Sequence, residues 1–404
     1  MTESQYIWKH GKPEPVIHEH SLAKHRVLEA YINRYIKILT SNPQMEGFRL
    51  HVVDGFSGGG VYQHYRTREI TYGSPIRLLS GALAAIYEVN RIRHKPIKYE
   101  MNYYFVEKRQ NALSMLQSTL PNIVSPIPEY VDIKYIRGSF ESKCRNICDD
   151  ILGSRGRTHR AIFVLDQYGY TNVPTSVINK IFDRLAHAEV ILTFNVDYLI
   201  DYIHEDPTLI RGISNKTGIS AEDIRSVLHY RSENVNRAMI QKYILDKLCH
   251  EFKAEFFTPF FIKSRQSHKS YWLLHLSRHP RARDAMTELH WQFQNHFVHQ
   301  GKPGLNMLGF DPLYENTLPF GFDEQAGALT HEALVNELPH ILSFEGISFG
   351  DLFRKICNET PASAKRLEEA IVALRDYGDI DIFTSDGRRR DRTRTLDRED
   401  IICL

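Results

Sequence analysis

Phe48-Arg49-Leu50-His51-Val52-Val53-Asp54-Gly55-Phe56-Ser57-Gly58-Gly59-Gly60 is the stretch whose reading decides the fold. An apolar, β-branched run stops at an aspartate and a glycine-dense turn begins at once. A parallel strand needs this where its carboxyl end brings backbone close to a ligand. The stretch therefore reads as the first strand and ligand loop of a doubly wound α/β domain. A strand followed by a plain flexible loop is the alternative, since glycine-rich motifs also arise where nothing binds.

Upstream, Leu22, Val27, Leu28, Tyr31, Ile32, Tyr35, Ile36 and Leu39 recur at helical spacing and predict an amphipathic helix from His20 to Leu39. Lys24 and His25 fall in its first turns, where the helix dipole does not favour cations. The pair either answers a carboxylate-bearing ligand or a nearby acid, or lies on a solvated face. Downstream, the polar stretch from Val61 to Thr71 reads as a loop. Gly73-Ser74-Pro75 then opens a helical run through Tyr87, a small polar residue and a proline being usual at a helix start.

The next predicted strands are Met101 to Val106, ending at Glu107; Val131 to Ile136, with Ser139 just beyond; Ala161 to Leu165, running into Asp166-Gln167-Tyr168-Gly169-Tyr170; and Val190 to Phe194, ending at Asn195. Five short apolar strands separated by helical segments indicate a mostly parallel sheet, and its polar strand ends gather at the carboxyl edge, where ligands of open α/β sheets bind. An acid after strand two is placed to accept hydrogen bonds from a ribose diol. Residues 197–252 read as a helical insertion, with Ser220 capping one helix ahead of Glu222 and Asp223. Two strand-like runs, 255–263 and 271–277, flank a polar turn and predict a hairpin; 285–297 reads as a helix. A parallel sheet closed by an antiparallel hairpin is the pattern of Rossmann-like S-adenosylmethionine (SAM) methyltransferases.

Bulk properties agree with a globular chain of two or three domains: 404 residues, 42% hydrophobic, and a net charge of only +2. No run approaches the roughly 18 apolar residues of a membrane span, and the polar N-terminus lacks a signal-peptide pattern, so the expected location is the cytoplasm. The near-neutral charge confines any nucleic-acid surface to a local patch. Cys144, Cys148, Cys249, Cys357 and Cys403 are scattered and odd in number, which predicts buried thiols in place of a disulfide framework or a zinc site. His18, His20 and His25 lack a further metal-ligand partner at a recognisable spacing, and no metal is expected. His290, His296 and His299 read as surface or packing groups.

Near the C-terminus, Phe349 to Ile356 and Ser363 to Tyr377 read as two helices, followed by a hairpin whose tip carries Arg388, Arg389, Arg390 and Arg392. Helix, turn, helix and basic-tipped hairpin resemble a winged helix, with the arginines suited to phosphate. The rival is a protein-docking module, because Glu368, Glu369 and Asp376 on the second helix would be repelled by DNA.

Trp8, His20, Lys24-His25, Asp54-Gly-Phe-Ser-Gly-Gly-Gly60, Gly73-Ser-Pro75, Asp166-x-x-Gly-Tyr170 and Tyr271-Trp-Leu-Leu274 together resemble the three-Cys-motif partner proteins (TcmP), over roughly the whole chain. The first 170 or so residues also resemble the bacterial 23S rRNA adenine-N6 methyltransferases. The second resemblance implies SAM contacts for Lys24, Asp54, Gly55, Phe56, Gly58, Gly60 and Glu107, with Ser139 near the adenine. The first implies a partner protein carrying the three-cysteine motif, encoded in the same bacterial operon. One departure stands out. Amino-methyltransferases carry Asp/Asn-Pro-Pro-aromatic after strand four, and here the run is Asp-Gln-Tyr-Gly-Tyr. Asp166, Gln167, Tyr168 and Tyr170 are the candidate catalytic residues, Asp166 as acceptor and the tyrosines as stacking groups.

The expected architecture is a Rossmann-like methyltransferase domain at 1–300, with its helical insertion at 197–252, a linker at 301–330 and a winged-helix-like domain at 331–404. The expected function is that of a SAM-binding, methyltransferase-like protein acting on or with nucleic acid together with its partner. The alternative is a non-catalytic scaffold or nucleotide sensor that keeps the fold. No Asp…Glu-x-Lys constellation points to a nuclease.

Overall fold

The computed structural model describes residues 6–8, 14–156, 158–167, 169–233, 235, 237–263, 270–293, 298–299, 304–305, 320–321, 323–392 and 394–404. One seven-stranded sheet organises it, built from β1 (Gly47–Asp54), β2 (Lys98–Glu107), β3 (Val131–Arg137), β4 (Arg160–Leu165), β5 (His187–Phe194), β6 (Phe256–Lys263) and β7 (Ser270–Ser277). Their spatial order is β3-β2-β1-β4-β5-β7-β6. The first five are parallel, and β7 enters antiparallel between β5 and β6. β1 pairs Asp54 with Phe105 of β2 and with Val164 of β4, so the strand order reverses around β1. The crevice for a ligand in such a sheet opens at that reversal, beyond the carboxyl ends.

Thirteen helices are described: α1 (Glu19–Leu39), α2 (Ser74–Arg91), α3 (Gln110–Ile123), α4 (Phe140–Gly153), α5 (Thr175–Arg184), α6 (Val196–Tyr202), α7 (Pro207–Thr217), α8 (Ala221–Ser232), α9 (Arg237–Glu251), α10 (Pro280–Gln292), α11 (Glu324–Glu337), α12 (Phe349–Ile356) and α13 (Ala364–Tyr377). Alternation in β1 divides the core, since successive side chains of a strand point to opposite faces. Leu50 and Val52 pack with α1, α2, α3 and α10, while Val53 faces α4, α5 and the helices of the insertion. Ser220 caps α8 as its sequence predicts, its hydroxyl accepting the Asp223 amide at 3.0 Å.

Three sequence expectations change. The polar stretch from Val61 to Thr71 is a β-hairpin, Val61–His64 against Ile70–Tyr72, and Val16–Ile17 adds a third, parallel strand. Val61 and Tyr62, successive in the strand, are buried on opposite faces of that hairpin, and the Gly73 amide closes its base on the Gly60 carbonyl at 2.8 Å. α10 begins at 280 in place of 285, because Pro280 starts it and the His279 ring accepts the Arg281 amide at 3.1 Å; residues 294–297 of the expected helix lie outside the described residues. α11 begins at 324, inside the expected linker, capped by the Asp323 carboxylate on the Ala326 amide at 2.8 Å.

The C-terminal module packs α11, α12 and α13 against a small sheet of β8 (Ile347–Ser348), β9 (Asp381–Phe383) and β10 (Ile401–Cys403), ordered β8-β10-β9. Leu334, Phe353, Leu367, Ile371, Ile382 and Ile402 form its core. Phe256, at the start of β6, is buried in the same cluster and ties the module to the large sheet. No described helix is long and apolar enough to cross a membrane.

Candidate functional site

A cavity of about 490 Å³ lies at the carboxyl ends of β1 and β2, within the range of small-ligand pockets. Its lining includes Phe56, Gly58, Glu107, Arg109, Ser139 and Asn172. The glycine turn is stitched to the end of β2. The Ser57 amide donates to the Val106 carbonyl at 3.0 Å, and the Gly58 amide donates to Glu107 Oε2 at 3.1 Å. Gly58 has φ +60° and Gly60 has φ +76°, backbone conformations that favour glycine. Glu107 is 7% exposed and also accepts the Arg109 amide at 2.8 Å, so the acid is oriented before any ligand arrives. Ser139 caps α4 at the same edge.

The N-terminal segment covers this turn. Trp8 donates its indole N–H to the Val61 carbonyl at 2.8 Å, and a Cβ at Gly59 would lie 2.5 Å from the indole. Tyr6, Trp8 and Tyr62 form an aromatic cluster. The Arg109 guanidinium sits 5.1 Å from the Trp8 ring, donates to Glu107 Oε1 at 3.2 Å and also bonds the Tyr6 carbonyl. Arg109 and Tyr62 carried no sequence signal. Arg109 follows Glu107 by two residues, but which way it turns depends on where the N-terminal segment comes to rest.

Beside the cavity, the chain buries a charge cluster. Lys24 Nζ is ion-paired with Asp166 Oδ1, so a nearby acid answers the first-turn lysine of α1. Burial works to raise the Asp166 carboxyl, but the Lys24 charge and hydrogen bond, helped by the Thr193 hydroxyl, hold it below the usual range. His25 is fully enclosed, and burial drives it down to about 4, so its ring is neutral at pH 7. Asp54 is pushed up to about 7, chiefly by burial, against the opposing pull of the Ser74 hydroxyl and Phe56 amide. Asp54 Oδ1 accepts that amide at 3.1 Å, and Oδ2 has no hydrogen-bond partner among the described residues.

The candidate acceptor residues diverge. Asp166 stands at the cluster just described. Gln167 is 3% exposed, and its carbonyl accepts the Val173 amide at 2.9 Å, bracing the loop from inside. Tyr170 is 8% exposed and packs against Phe194 and Tyr198, so its ring belongs to the core in place of an open stacking face. Tyr168 lies outside the described residues. The wing arginines are also unlike one another. Arg388 pairs with Asp386 at 3.1 Å and Arg389 with Asp391 at 2.9 Å. Arg390 turns inward to the buried Asp400 and to Asp397. Arg392 is exposed.

A second cavity, of about 460 Å³, opens at the opposite edge, near Tyr31, Tyr35, His187, Glu189 and His279. Beneath it Tyr31 donates to Glu189, which lies 2.9 Å from His275 Nε2, while His275 Nδ1 has no hydrogen-bond partner among the described residues. Among the described residues no cluster of three or more His, Cys, Asp or Glu is placed to hold a metal ion.

Residues 309–387 match the family described as GMT-like wHTH domain, a winged helix-turn-helix. No curated protein matches the chain. Among solved structures, the chain is similar to a Legionella pneumophila protein of the family DUF519, at 10% identity over 68% of this chain and 92% of that one, with a TM-score of 0.39. It is similar to a putative SAM-dependent methyltransferase of Methanococcus maripaludis at 9% identity, 64% and 91% coverage and a TM-score of 0.23. It is also similar to Trm1 of Pyrococcus horikoshii, solved with SAM, at 12% identity, 100% and 95% coverage and a TM-score of 0.31.

Proposed function

We propose that the chain is a SAM-binding, methyltransferase-like protein whose cofactor occupies the cavity over the glycine turn. The observation that carries this reading is the convergence, at the reversal point of a β3-β2-β1-β4-β5-β7-β6 sheet, of the Gly58 turn, oriented Glu107 and Ser139 in one cavity. The residues present fit the group. Glu107 is placed to accept a ribose diol, Gly58 lets backbone approach closely, and the orphaned Asp54 Oδ2 is a buried acceptor that an ammonium or amide donor would satisfy. SAM supplies an electrophilic methyl group. The role left to the chain is to hold the acceptor's amino or hydroxyl group at Asp166, in line with that methyl group.

Calorimetry with SAM and S-adenosylhomocysteine tests this. Glu107→Ala removes charge-assisted hydrogen bonds of about 1.5–3 kcal/mol and weakens SAM binding by about ten- to a hundredfold. Gly58→Val forces a β-branched residue into φ +60°, with its Cβ 2.9 Å from the Tyr62 hydroxyl, and abolishes binding. A wild type that gives neither heat nor thermal shift with millimolar SAM removes the proposal.

The acceptor class we propose is nucleic acid, a reading supported by the winged-helix match at the C-terminus. A three-cysteine-motif partner rests on sequence resemblance alone, and co-purification of the two proteins decides it. A non-catalytic scaffold is the second reading. It is favoured by the internal engagement of Asp166, Gln167 and Tyr170, which leaves the strand-four loop without the open acceptor groups of an amino-methyltransferase. Transfer of tritiated methyl to total RNA, DNA or the partner separates the two. A transferase labels one of them and loses turnover by orders of magnitude in Asp166→Ala with SAM affinity nearly intact, whereas a scaffold labels none.

A further inference from the structure

The C-terminal module has the parts of a winged helix, with α12, a turn and α13 followed by the wing hairpin. In helix-turn-helix proteins the second helix enters the major groove with its N-terminal residues on the base edges. Here that end of α13 points into the protein. Thr360, Pro361, Ala362 and Ser363, which lead into α13, are all buried. Arg283 of α10 is 1% exposed and donates from Nη1 to the Ala362 carbonyl at 2.7 Å and from Nη2 to the Thr360 carbonyl. The Trp291 indole donates to the Pro361 carbonyl at 2.8 Å, so three consecutive carbonyls of the turn are bound by α10. Asp284 accepts the Ala364 amide at 2.7 Å, taking the first N–H of α13. Arg366, one turn into α13, lies 3.7 Å over the Trp291 ring.

The outward surfaces do not replace what is hidden. Exposed charges on α13 are Lys365, Glu369 and Asp376, two acids against one cation. Between Asp381 and Asp400 six arginines stand against six acids, and Arg388, Arg389 and Arg390 are all paired with neighbouring carboxylates. The three arginines at the hairpin are thus engaged with carboxylates of their own segment, while Arg392 and Arg394 are exposed and could meet phosphate without reading bases.

We infer that this winged helix grips its own α/β body with the end of the helix that would read bases, and that it serves as a fixed brace on α10 and does not select nucleic-acid sequence. The inference stands on these contacts alone and is independent of SAM binding. Any nucleic acid that the full chain holds is thus chosen elsewhere than at α13.

Hydrogen exchange of the full chain tests the brace. The amides of Ala362 and Ala364 exchange as slowly as those of the core strands, and Arg283→Met speeds both and lowers Tm by several degrees. Should Arg283→Met fail to fold, Asp284→Asn speeds exchange at Ala364 in its place. Labelled 20-base-pair duplexes of several sequences bind the wild type with affinities within about threefold of one another, or not at all, and Lys365→Ala leaves those affinities unchanged. Fast exchange at Ala362 and Ala364 in the wild type overturns the inference. So does a tenfold or larger preference among duplexes that Lys365→Ala removes, or the appearance of such a preference in either brace variant, which would make the contact a mask over a working reader.

Discussion

At the scale of single residues, burial decides what the charged groups of this protein do. Lys24 and Asp166 stabilise each other where neither would be comfortable alone. Removing one partner of a buried pair leaves the other charge uncompensated, at a cost of about 3 kcal/mol. Lys24→Met is therefore expected to lower stability by that order and to raise the Asp166 carboxyl into the ordinary range or above, with Lys24→Met/Asp166→Leu losing less than Lys24→Met alone. Urea melts of the three variants check this, and a double variant as unstable as the sum of both singles would refute the pairing. Asp54 gives a pH dependence whose sign follows from its upward shift. The folded state holds the proton more tightly than the unfolded chain, so its stabilising contribution is complete below about pH 4 and disappears as pH rises through about 7. His25 acts in the opposite sense: held near 4, it stabilises above the ordinary histidine range and loses that contribution as pH falls through about 4. Tm measured from pH 5 to 8 should fall less steeply on the alkaline side in Asp54→Asn than in the wild type.

At the scale of elements, short polar stretches become structured because something apolar lies under them. The hairpin after the glycine turn forms because Tyr62 has Trp8 and Tyr6 to pack against while Val61 joins the core beneath α1 and α2. Gly59→Ala puts a methyl group into the Trp8 indole, and the expected result is a red-shifted tryptophan emission as the N-terminal segment leaves the turn. Emission identical to the wild type would mean that the segment does not rest there. The wing makes a parallel point. Arg390→Gln breaks a contact to buried Asp400 and is expected to lower Tm by several degrees, while Arg388→Gln, at an 83% exposed side chain paired with Asp386, shifts it by less than one. Equal effects of the two substitutions would contradict the inward placement of Arg390. Ser220→Ala removes a helix cap and should cost about 1 kcal/mol, a local control for both.

At the scale of the whole molecule, a sheet with two covered faces and a docked C-terminal module act as one body, because Phe256 of β6 is buried among the module's own apolar residues. Ending the chain before residue 323 exposes Phe256 and leaves Arg283 without the carbonyls that hold it. Such a protein should aggregate or melt well below the full chain, and one as stable as the full chain would show the module to be an independent appendage. The sequence by itself determined the strands of the large sheet and their polar carboxyl ends, the glycine turn, the Ser220 cap and the helix-turn-helix pattern. Hydrophobic period and turn chemistry are local properties, written within a few residues of where they act. Only the tertiary structure decided that Lys24 meets Asp166, 142 positions away, that Tyr170 and Gln167 turn into the core, that Arg109 joins Glu107 to the N-terminal segment, and that the leading end of α13 is spent on α10. Whether a charged or aromatic side chain faces solvent, a ligand or the interior depends on what packs over it, and that neighbour is usually distant in the chain.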